Sequence, residues 1–387
     1  MIGVGGVLDG GRRMRATERE CWIALSLVPG IGPAGFAQLV RRHGSAAAAW
    51  RAGPVGLAAI ATSTSSPRTP PSEVWRADPR ELARRLVART EAAGAAIVTP
   101  ADANYPPALL RIDPRPPVLA IAGDPAAFGE RAVAIVGTRR ASGYGLSVAT
   151  EAADELARAG LVVVSGLALG IDGAAHAAAV AAGGRTIAVL PSPIDRIYPP
   201  RHRGLARDLK RSGGALVSEI PIGAAVGRPD FARRNRIIAG LSEAVVVVEA
   251  PDRSGALLTA SAANAMGNEV YAVPGPIDAM ASRGCNRLIA DSQAQIVTSI
   301  GALMAQVGVT AGRPPPLTAR LSEVEGQLLR HLLDRSGSIE ELVDRSGQPP
   351  ASVASALSLL EARGLVNPFG GATFHATLAA RRLAGVV

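Results

Sequence analysis

The sequence has 387 residues, which predicts two or three domains rather than one. Hydrophobic residues make up 48% and charged residues 19%, which excludes a disordered charged protein, and no apolar run is long enough for a membrane helix. Cys21 and Cys285 are too few for a disulfide framework or a zinc site, and the first fourteen residues contain no apolar stretch of signal length. We therefore expect a cytoplasmic protein without a metal. Its net charge of +9 favours a polyanionic partner.

Residues 1–60 predict a small N-terminal helical domain. Two helices, near 18–27 and 36–43, flank the turn Pro29-Gly30-Ile31-Gly32, which has the form seen in helix-hairpin-helix units. Such a turn either packs two helices tightly or offers backbone N–H groups to a DNA phosphate. Residues 61–94 are predicted to form a linker and a lead-in to the next domain, because the stretch begins rich in Ser, Thr and Pro.

Residues 95–309 alternate between apolar runs and helical stretches, which predicts a Rossmann-like α/β core. The strands are continuous apolar runs, as expected when helices cover both faces of a sheet: 133–136, 162–164, 186–190, 215–218, 244–248 and 270–273. Helices are predicted between them at 146–159, 173–182, 204–211, 234–241 and 257–266. Six strands with crossover helices give a doubly wound, mostly parallel sheet, whose ligands bind beyond the carboxyl ends of the strands.

A second linker, residues 310–316, contains three consecutive prolines. Residues 317–387 follow with three helices and a hairpin, the order of a winged-helix domain. Ser338 and Glu341 predict a capping box at the start of the second helix. The third helix, 350–363, has no Lys, Asn or Gln, so it is a poor reader of the major groove. We expect this domain to pack or to bind a partner.

The loop after the first core strand is rich in glycine and carries two arginines. Gly137, Thr138, Arg139 and Arg140 lead into a helix, so backbone N–H groups, the helix dipole and two cations can face an anion. The loop lacks the GxGxxG pattern of dinucleotide sites, and no acidic residue ends the second strand, so we expect no nicotinamide or other cofactor. A purely structural glycine turn is the alternative.

Ser165, Gly166 and Gly170 follow the second core strand and precede an acid and a histidine that are four residues apart. Asp172 and His176 can face each other on one helical turn as an acid–base pair. A carboxylate at a helix N-terminus is more often a cap, however, and a neighbouring histidine more often completes a hydrogen-bond network. We therefore predict structural roles for both and no catalytic residue.

Three further segments bring positive charge or a helix start to the same edge of the predicted sheet. Residues 196–211 contain six basic side chains against one acid, and residues 231–236 add three arginines. The third segment, 249–259, follows a strand and enters a helix. The residues predicted to bind a phosphate backbone here are Arg201, Arg203, Arg234, Asn235, Arg236, Ser254 and Gly255, with Glu249 in a structural role.

Ten ordered motifs between residues 105 and 300 resemble one family, the bacterial DNA-processing protein A (DprA, or Smf) group. They include Val-Gly-Thr-Arg at 136–139, Ser-Gly-Leu-Ala-x-Gly-Ile-Asp at 165–172, Arg-Asn-Arg-Ile-Ile-Ala-Gly-Leu at 234–241 and Gly-Cys-Asn-x-Leu-Ile at 284–289. The flanking helical and winged-helix domains match the longer members of that family. Relatives commonly have a basic residue after Tyr-Pro, where this chain has Pro200 followed by Arg201.

The resemblance implies a core that binds single-stranded DNA without sequence preference and without catalysis. It also implies a homodimer that protects incoming strands and helps to load the recombinase RecA during transformation and recombination. Carried over to this chain, the implied DNA contacts are Arg139, Ser165, Gly166 and the run 234–236. The implied dimer interface lies at Gly284, Cys285, Leu288 and Ile289.

Three functions are compatible with the sequence. The first is a single-stranded DNA-binding protein, which predicts a steep salt dependence and little base preference. The second is an enzyme that holds a nucleotide in the same glycine loops, with Asp172 or Glu249 as acid or base. The third is a regulator that reads duplex DNA through the winged helix, against which stand the seven basic and seven acidic residues of 317–387. We expect the first.

Overall fold

The computed structural model describes residues 16–53, 72–309, 321–369, 373–377 and 380. The chain divides into two compact units, residues 1–309 and residues 310–387. The first unit contains the N-terminal helices and the α/β core, and the second contains the winged helix. The predicted proline linker, residues 61–71 of the first linker and the glycine pair of the predicted hairpin turn lie outside the described residues. No described helix is long and apolar enough to cross a membrane.

Five described helices precede the sheet: α1 Glu18–Ser26, α2 Pro33–His43, α3 Ala46–Ala52, α4 Ser72–Arg76 and α5 Pro79–Ala92. The turn between α1 and α2 requires glycine at position 30, where φ is +86°. Trp75 of α4 packs against Trp50 of α3, with ring centroids 5.0 Å apart. Helix α4 and this buried tryptophan lie within the stretch 61–94 that was predicted to form a linker and a lead-in.

Nine described strands form one sheet: β1 Ala96–Val98, β2 Leu119–Gly123, β3 Ala132–Val136, β4 Val162–Ser165, β5 Thr186–Leu190, β6 Ala215–Ser218, β7 Ala244–Val247, β8 Glu269–Ala272 and β9 Gln295–Ile296. Their order is β1-β2-β6-β5-β4-β3-β7-β8-β9. All pairs from β6 to β9 are parallel, and β1 and β2 add an antiparallel edge. The six predicted strands and the mostly parallel sheet are confirmed, whereas β1, β2 and β9 were not predicted.

Helices cover both faces of the sheet, so β3 to β7 consist entirely of buried residues. The core helices are α6 Gly143–Arg158, α7 Ile171–Ala181, α8 Arg203–Arg211, α9 Arg228–Leu241, α10 Gly255–Ala265, α11 Arg283–Ala290 and α12 Ile300–Gln306. Helix α9 begins six residues earlier than predicted. Pro229 suits its first turn, and the Asp230 carboxylate accepts a hydrogen bond from the Gly227 N–H at 2.8 Å.

The direction of sheet growth reverses between β3 and β7. Strands β4, β5 and β6 are added on one side of β3, and β7, β8 and β9 are added on the other. The loops that leave β3 and β7 therefore lead to helices on different faces and open a crevice at the carboxyl ends of the strands. This crevice is where a ligand is expected.

The second unit contains α13 Glu323–Asp334, α14 Ile339–Ser346, α15 Pro350–Ala362, β10 Gly337–Ser338, β11 Val366–Phe369 and β12 Thr373–Ala376. The strands pair antiparallel in the order β10-β12-β11 around a leucine-rich core. The predicted winged helix is confirmed, as is the capping box of Ser338 and Glu341 at the start of α14. Strand β10 was not predicted.

The exposed face of α15 is small and uncharged over most of its length. The residues that it presents to solvent include Ala351, Ala354, Ser355, Ser358 and Leu359. These side chains lack the paired donors and acceptors that read base edges in a major groove. The face agrees with the expectation that this helix does not recognise a DNA sequence.

Candidate nucleic-acid interface

The loop that leaves β3 brings two arginines from the buried sheet to the surface. Thr138 donates its backbone N–H to the carbonyl oxygen of Glu249 at 2.7 Å. Gly137 has no room for a side chain, because a Cβ there would lie 2.5 Å from the first residue of α7. Arg139 and Arg140 follow this anchor and are exposed. The loop is thus fixed at its base while its cations reach solvent.

The carboxylate of Glu249 ties the loop after β7 to the start of α6. It accepts a hydrogen bond from the Ser142 N–H at 2.9 Å and another from the Ser142 hydroxyl. Ser142 is also the N-cap of α6, and its hydroxyl oxygen accepts from the Gly145 N–H at 3.0 Å. A Cβ at Gly145 would lie 2.4 Å from the Glu249 carboxyl group. These contacts hold the two walls of the crevice together.

Asp172 and Arg234 organise the loop after β4. The Asp172 carboxylate accepts hydrogen bonds from the N–H groups of Gly166 at 3.1 Å and Ala168 at 3.4 Å. Arg234, on α9, donates to the carbonyl oxygen of Gly166 at 2.7 Å and to that of Val189 at the end of β5. A Cβ at position 166 would lie 2.2 Å from the guanidinium group and would displace it from these carbonyl groups.

Burial shifts the pKa of both charged groups. It raises the pKa of Asp172, against the lowering effect of Arg234 and of the two N–H donors. It lowers the pKa of Arg234 to about 10, and nearby Asp172 opposes this shift. Because a pKa of about 10 is well above neutrality, the guanidinium group stays charged at pH 7. Arg234 is an internal cation beneath the crevice.

Asn235 extends the same support to the loop after β7. Its side-chain oxygen accepts from Arg234 Nε at 3.1 Å, and its amide nitrogen donates to the Gly255 carbonyl at 2.9 Å. Gly255 begins α10, which is capped by the Ser254 hydroxyl through the Ala256 N–H at 3.2 Å. Two consecutive residues of α9 therefore fix the loops that follow β4 and β7 and bond to the carboxyl end of β5.

These loops enclose an open groove of about 410 Å³. Four exposed arginines line it: Arg139, Arg140, Arg228 and Arg253. None of the four forms an ion pair with another residue in the described part of the chain. The groove therefore has a strong positive potential that its own side chains leave uncompensated.

Arginines at the opposite edge of the sheet are neutralised. Arg131 pairs with Glu243 at 2.6 Å, and both lie where strands begin. Arg158, at the end of α6, pairs with Asp154 at 2.8 Å. These two paired arginines contrast with the four unpaired arginines that line the groove.

Two aromatic rings lie beside these arginines. Phe231 and Tyr198 meet edge to face with centroids 5.8 Å apart, and the Arg139 guanidinium carbon lies 5.1 Å from the centre of the Phe231 ring. Tyr198 is 46% exposed. Both rings line a side pocket of about 40 Å³ next to the groove. A cation beside an accessible ring suits a nucleotide, whose phosphate and base need these two contacts.

Comparison with known proteins agrees with this architecture. Residues 96–308, more than half of the chain, match the family described as DNA recombination-mediator protein A. Residues 16–76 match the DprA-like N-terminal HHH domain, and residues 311–372 match the DprA winged helix domain. The chain belongs to the DprA/Smf family. The resemblance carried by the sequence motifs is confirmed.

Individual DprA proteins are similar over long stretches. A putative DNA processing protein DprA of Mycobacterium tuberculosis is 38% identical over 372 residues, which cover 91% of this chain and 90% of that protein. The X-ray structure of DNA processing protein A from Streptococcus pneumoniae is 29% identical, with a TM-score of 0.59 over 76% of this chain and 99% of that one. A Helicobacter pylori DNA processing protein A, whose structure concerns its single-stranded DNA binding mode, is 28% identical, with a TM-score of 0.51 over 56% and 97%.

The structure brings nine predicted DNA-binding residues of this DprA family member to the groove or its side pocket: Gly137, Thr138, Arg139, Arg140, Gly166, Arg234, Asn235, Ser254 and Gly255. Gly170 lies behind the β3 loop with φ at +75°. Ser165 is buried and donates to the Ile135 carbonyl at 2.6 Å, and Arg236 pairs with Glu219 at 2.6 Å. Ser165 and Arg236 were predicted to contact DNA, but in the structure the Ser165 hydroxyl and one guanidinium nitrogen of Arg236 bond within the core.

Arg201 and Arg203 lie outside the groove. Arg201 belongs to a short turn at 200–202 and Arg203 begins α8, and both are exposed. Arg228 and Arg253 also line the groove and were not among the predicted DNA-binding residues. A signal existed for Arg253, because it follows a parallel strand within a segment already assigned to the groove edge. Arg228 was missed because it precedes the segment 231–236, which was assigned to that edge and contains the groove residue Phe231.

The residues implied as a dimer interface are mostly inside the core. Gly284 is buried, Cys285 and Leu288 are 0% and 6% exposed, and Ile289 is partly buried against the same core cluster. A Cβ at Gly284 would lie 2.5 Å from the Ala250 carbonyl oxygen. The Cys285 and Leu288 side chains lie on the face of α11 that packs into the core, so they are not available on the surface of this chain.

His176 is buried near the groove and stays neutral. The Thr186 hydroxyl donates its single hydrogen to the Val163 carbonyl at 2.6 Å, so His176 Nδ1–H donates to the Thr186 oxygen at 2.7 Å. Burial, with smaller contributions from His202 and Arg234, lowers the pKa of His176 to about 3. The ring is therefore uncharged throughout the physiological pH range.

We expect His176 to make the fold less stable in weak acid. The unfolded chain protonates this residue near pH 6.5, whereas the folded protein does so only near pH 3, so stability falls as the pH drops below about 6.5. Between these two pKa values the free energy of unfolding should fall by about 1.4 kcal/mol for each pH unit. Urea unfolding at pH 7 and pH 5 should show a loss about 2 kcal/mol larger for the wild type than for His176→Asn.

The variant serves as the reference in this experiment. Burial raises the pKa of Asp172 and of Glu219, and such groups change stability with the opposite sign. Both groups are present in the wild type and in His176→Asn, so their contribution cancels in the difference. Equal losses in the two proteins would show that the histidine does not resist protonation in the fold.

Proposed function

We propose that this protein is a non-catalytic binder of single-stranded DNA that holds the strand by its phosphates, without sequence preference. The observation that carries the proposal is the set of four exposed groove arginines, Arg139, Arg140, Arg228 and Arg253, which have no carboxylate partner among the described residues. Phosphates supply the missing negative charge, and N–H groups of the glycine loops add donors. The Helicobacter pylori relative, whose structure concerns single-stranded DNA binding, supports the same ligand.

The shape of the site favours a single strand over a duplex. A groove of about 410 Å³ is the size of a small-ligand pocket and admits part of one strand rather than a double helix. Phe231 and Tyr198 can stack only on bases that are unpaired. Asn235, an amide that could read a base, is already bonded to Arg234 and Gly255. Phosphate contacts should therefore dominate over base reading.

The acidic side chains near the groove accept hydrogen bonds from the protein itself, which supports binding without catalysis. The Asp172 carboxylate is occupied by the N–H groups of the β4 loop, and the Glu249 carboxylate by Ser142. A general acid or base must be within hydrogen-bond reach of a substrate proton. His176, with a pKa of about 3, is not an imidazolium at neutral pH and therefore does not act as a general acid. These observations favour a binding protein over the nucleotide-hydrolysing alternative.

Strand preference and salt dependence test the proposal. Fluorescence anisotropy with a labelled single strand should give a Kd at least tenfold lower than with the matching duplex. For a strand short enough to occupy the groove alone, the logarithm of the binding constant should fall with the logarithm of salt concentration with a slope of about 3, since four arginines each contribute roughly 0.7 on a single strand. A chain of residues 1–316 should retain this binding. Equal or tighter duplex binding, or loss of binding on truncation, would contradict the proposal.

We further propose that the protein works in the cytoplasm as a homodimer that delivers its strand to RecA, as its family membership suggests. Ile277 and Met280 support a dimer, because they are 91% and 70% exposed in the segment that precedes α11. Apolar side chains so exposed favour contact with another protein surface. Sedimentation velocity measures the dimer, and the lag of RecA filament assembly on protein-bound strands measures delivery.

A further inference from the structure

A row of basic side chains leads away from the side pocket along α8. It begins at Arg201, two residues after Pro199, which lines the pocket. Arg203, Arg207 and Lys210 follow at intervals of four and three residues, so they lie on one face of the helix. All are exposed, and the opposite face of α8 packs its apolar residues into the core.

The cations of this row have no acidic partners within the described residues. The acidic side chain of α8, Asp208, pairs with Arg211 at 3.1 Å beside the row. Arginines on α5 provide the contrast, since Arg84 and Arg85 both pair with Glu81. Like charges that face each other at such intervals destabilise a helix, and a bound polyanion relieves that repulsion.

The direction of α8 suits a strand that leaves the groove. The helix connects the end of β5 to the start of β6, so it runs from the carboxyl edge of the sheet, where the groove lies, towards the opposite edge. A rise of about 1.5 Å per residue spaces its three charges by about 6 Å and about 4.5 Å along the axis. A polyanionic backbone laid along α8 meets these charges one after another.

We propose that α8 is a second binding segment for the same single strand, in which phosphates of nucleotides that leave the groove bind Arg203, Arg207 and Lys210. This inference rests on the proposed function and extends its footprint. Short oligonucleotides occupy the groove alone, whereas longer ones occupy the groove and α8. Because α8 has no aromatic residue, the added contacts are electrostatic and independent of base identity.

Lys210 allows the contact to be observed directly, because it is the single lysine among 387 residues. In the full-length protein, acetic anhydride modifies this amine and the amino terminus, and mass spectrometry of the peptides measures the two rates separately. We expect an oligo(dT) of 18 nucleotides (the 18-mer) to slow the acetylation of Lys210 at least fivefold. An oligo(dT) of 6 nucleotides (the 6-mer) at saturation should leave that rate unchanged. The acetylation rate of the amino terminus is the internal control.

Binding measurements provide the second readout. The double variant Arg207→Ala/Lys210→Ala should bind the 18-mer at least tenfold more weakly and lower the salt slope by about 1.4, the value for two lost phosphate contacts. Its affinity for the 6-mer should stay within twofold of the wild type. The control Arg84→Ala/Arg85→Ala removes the same two charges from α5 and should leave both affinities within twofold.

These outcomes distinguish failure of the α8 proposal from failure of the proposed function. If Lys210 is not protected by the 18-mer, or if the α5 control loses as much affinity as the α8 variant, α8 is not a binding segment. Effects of the α8 variant on duplex alone would overturn the inference in the same way. If the wild type binds neither oligonucleotide, the proposed function itself fails.

Discussion

Arg139→Ala should weaken single-stranded DNA binding at least tenfold, which corresponds to about 1.4 kcal/mol. Arg139 is unpaired in the described structure, stands at the mouth of the groove and is positioned by the Phe231 ring. The backbone anchor of its loop, the Thr138 N–H bond to Glu249, does not involve the lost side chain. The variant therefore removes a phosphate contact without moving the loop, and anisotropy should show the salt slope fall by about 0.7.

Two further variants test whether the loss of affinity is specific to the Arg139 side chain. Arg158→Ala removes an equal charge from the opposite edge of the sheet, where the arginine is paired with Asp154, and should change the affinity less than twofold. Arg139→Lys keeps the charge but loses the planar group above the ring, so we expect an intermediate affinity. If Arg139→Ala and Arg158→Ala behave alike, net charge rather than the groove determines binding.

Arg234→Ala should lower the free energy of unfolding by about 3–5 kcal/mol, because two buried carbonyl groups each lose a charged hydrogen-bond donor. Arg234 is 8% exposed and bonds to the carbonyl groups of Gly166 and Val189. Its loss leaves those acceptors unsatisfied and removes the cation that lowers the pKa of Asp172. Urea unfolding followed by circular dichroism measures the change.

The same unfolding measurement distinguishes an arginine that stabilises the fold from one that contacts DNA. Arg139→Ala should alter the free energy of unfolding by less than about 1 kcal/mol, because the exposed side chain forms no ion pair in the described structure and its contact with the Phe231 ring contributes about 0.5–1 kcal/mol. Arg234→Lys restores a charge but not the forked donors, so it should recover part of the stability. Wild-type stability in Arg234→Ala, together with loss of DNA binding, would show that this arginine faces the ligand instead of the core.

The main elements of the core could be predicted because their residues form long apolar runs with glycine loops between them. Val133 to Val136 and Ala244 to Val247 are buried on both sides, and their composition alone identifies such strands. The position of the groove could be predicted from these strands, because the carboxyl ends of parallel strands lie at one edge of the sheet. The short edge strands β1 and β9, of three and two residues, depend on pairing partners elsewhere in the chain and leave no comparable pattern.

The roles of individual arginines could not be predicted from the sequence. Arg234 and Arg236 stand two residues apart in one basic run, yet one supports the groove floor and the other pairs with Glu219. Which side of α9 faces the sheet depends on tertiary packing. The same reason explains Cys285 and Leu288, whose motif is shared with the family but whose side chains point into the core.

Photo-cross-linking tests the central claim, that a single strand lies in the groove at the carboxyl edge of the sheet, most directly. A single strand carrying bromodeoxyuridine at successive positions is irradiated with the full-length protein, and the attached peptides are mapped by mass spectrometry. We predict attachment at Tyr198 and Phe231, the rings beside the groove arginines. Attachment confined to residues 321–377 of the winged-helix unit would contradict the account.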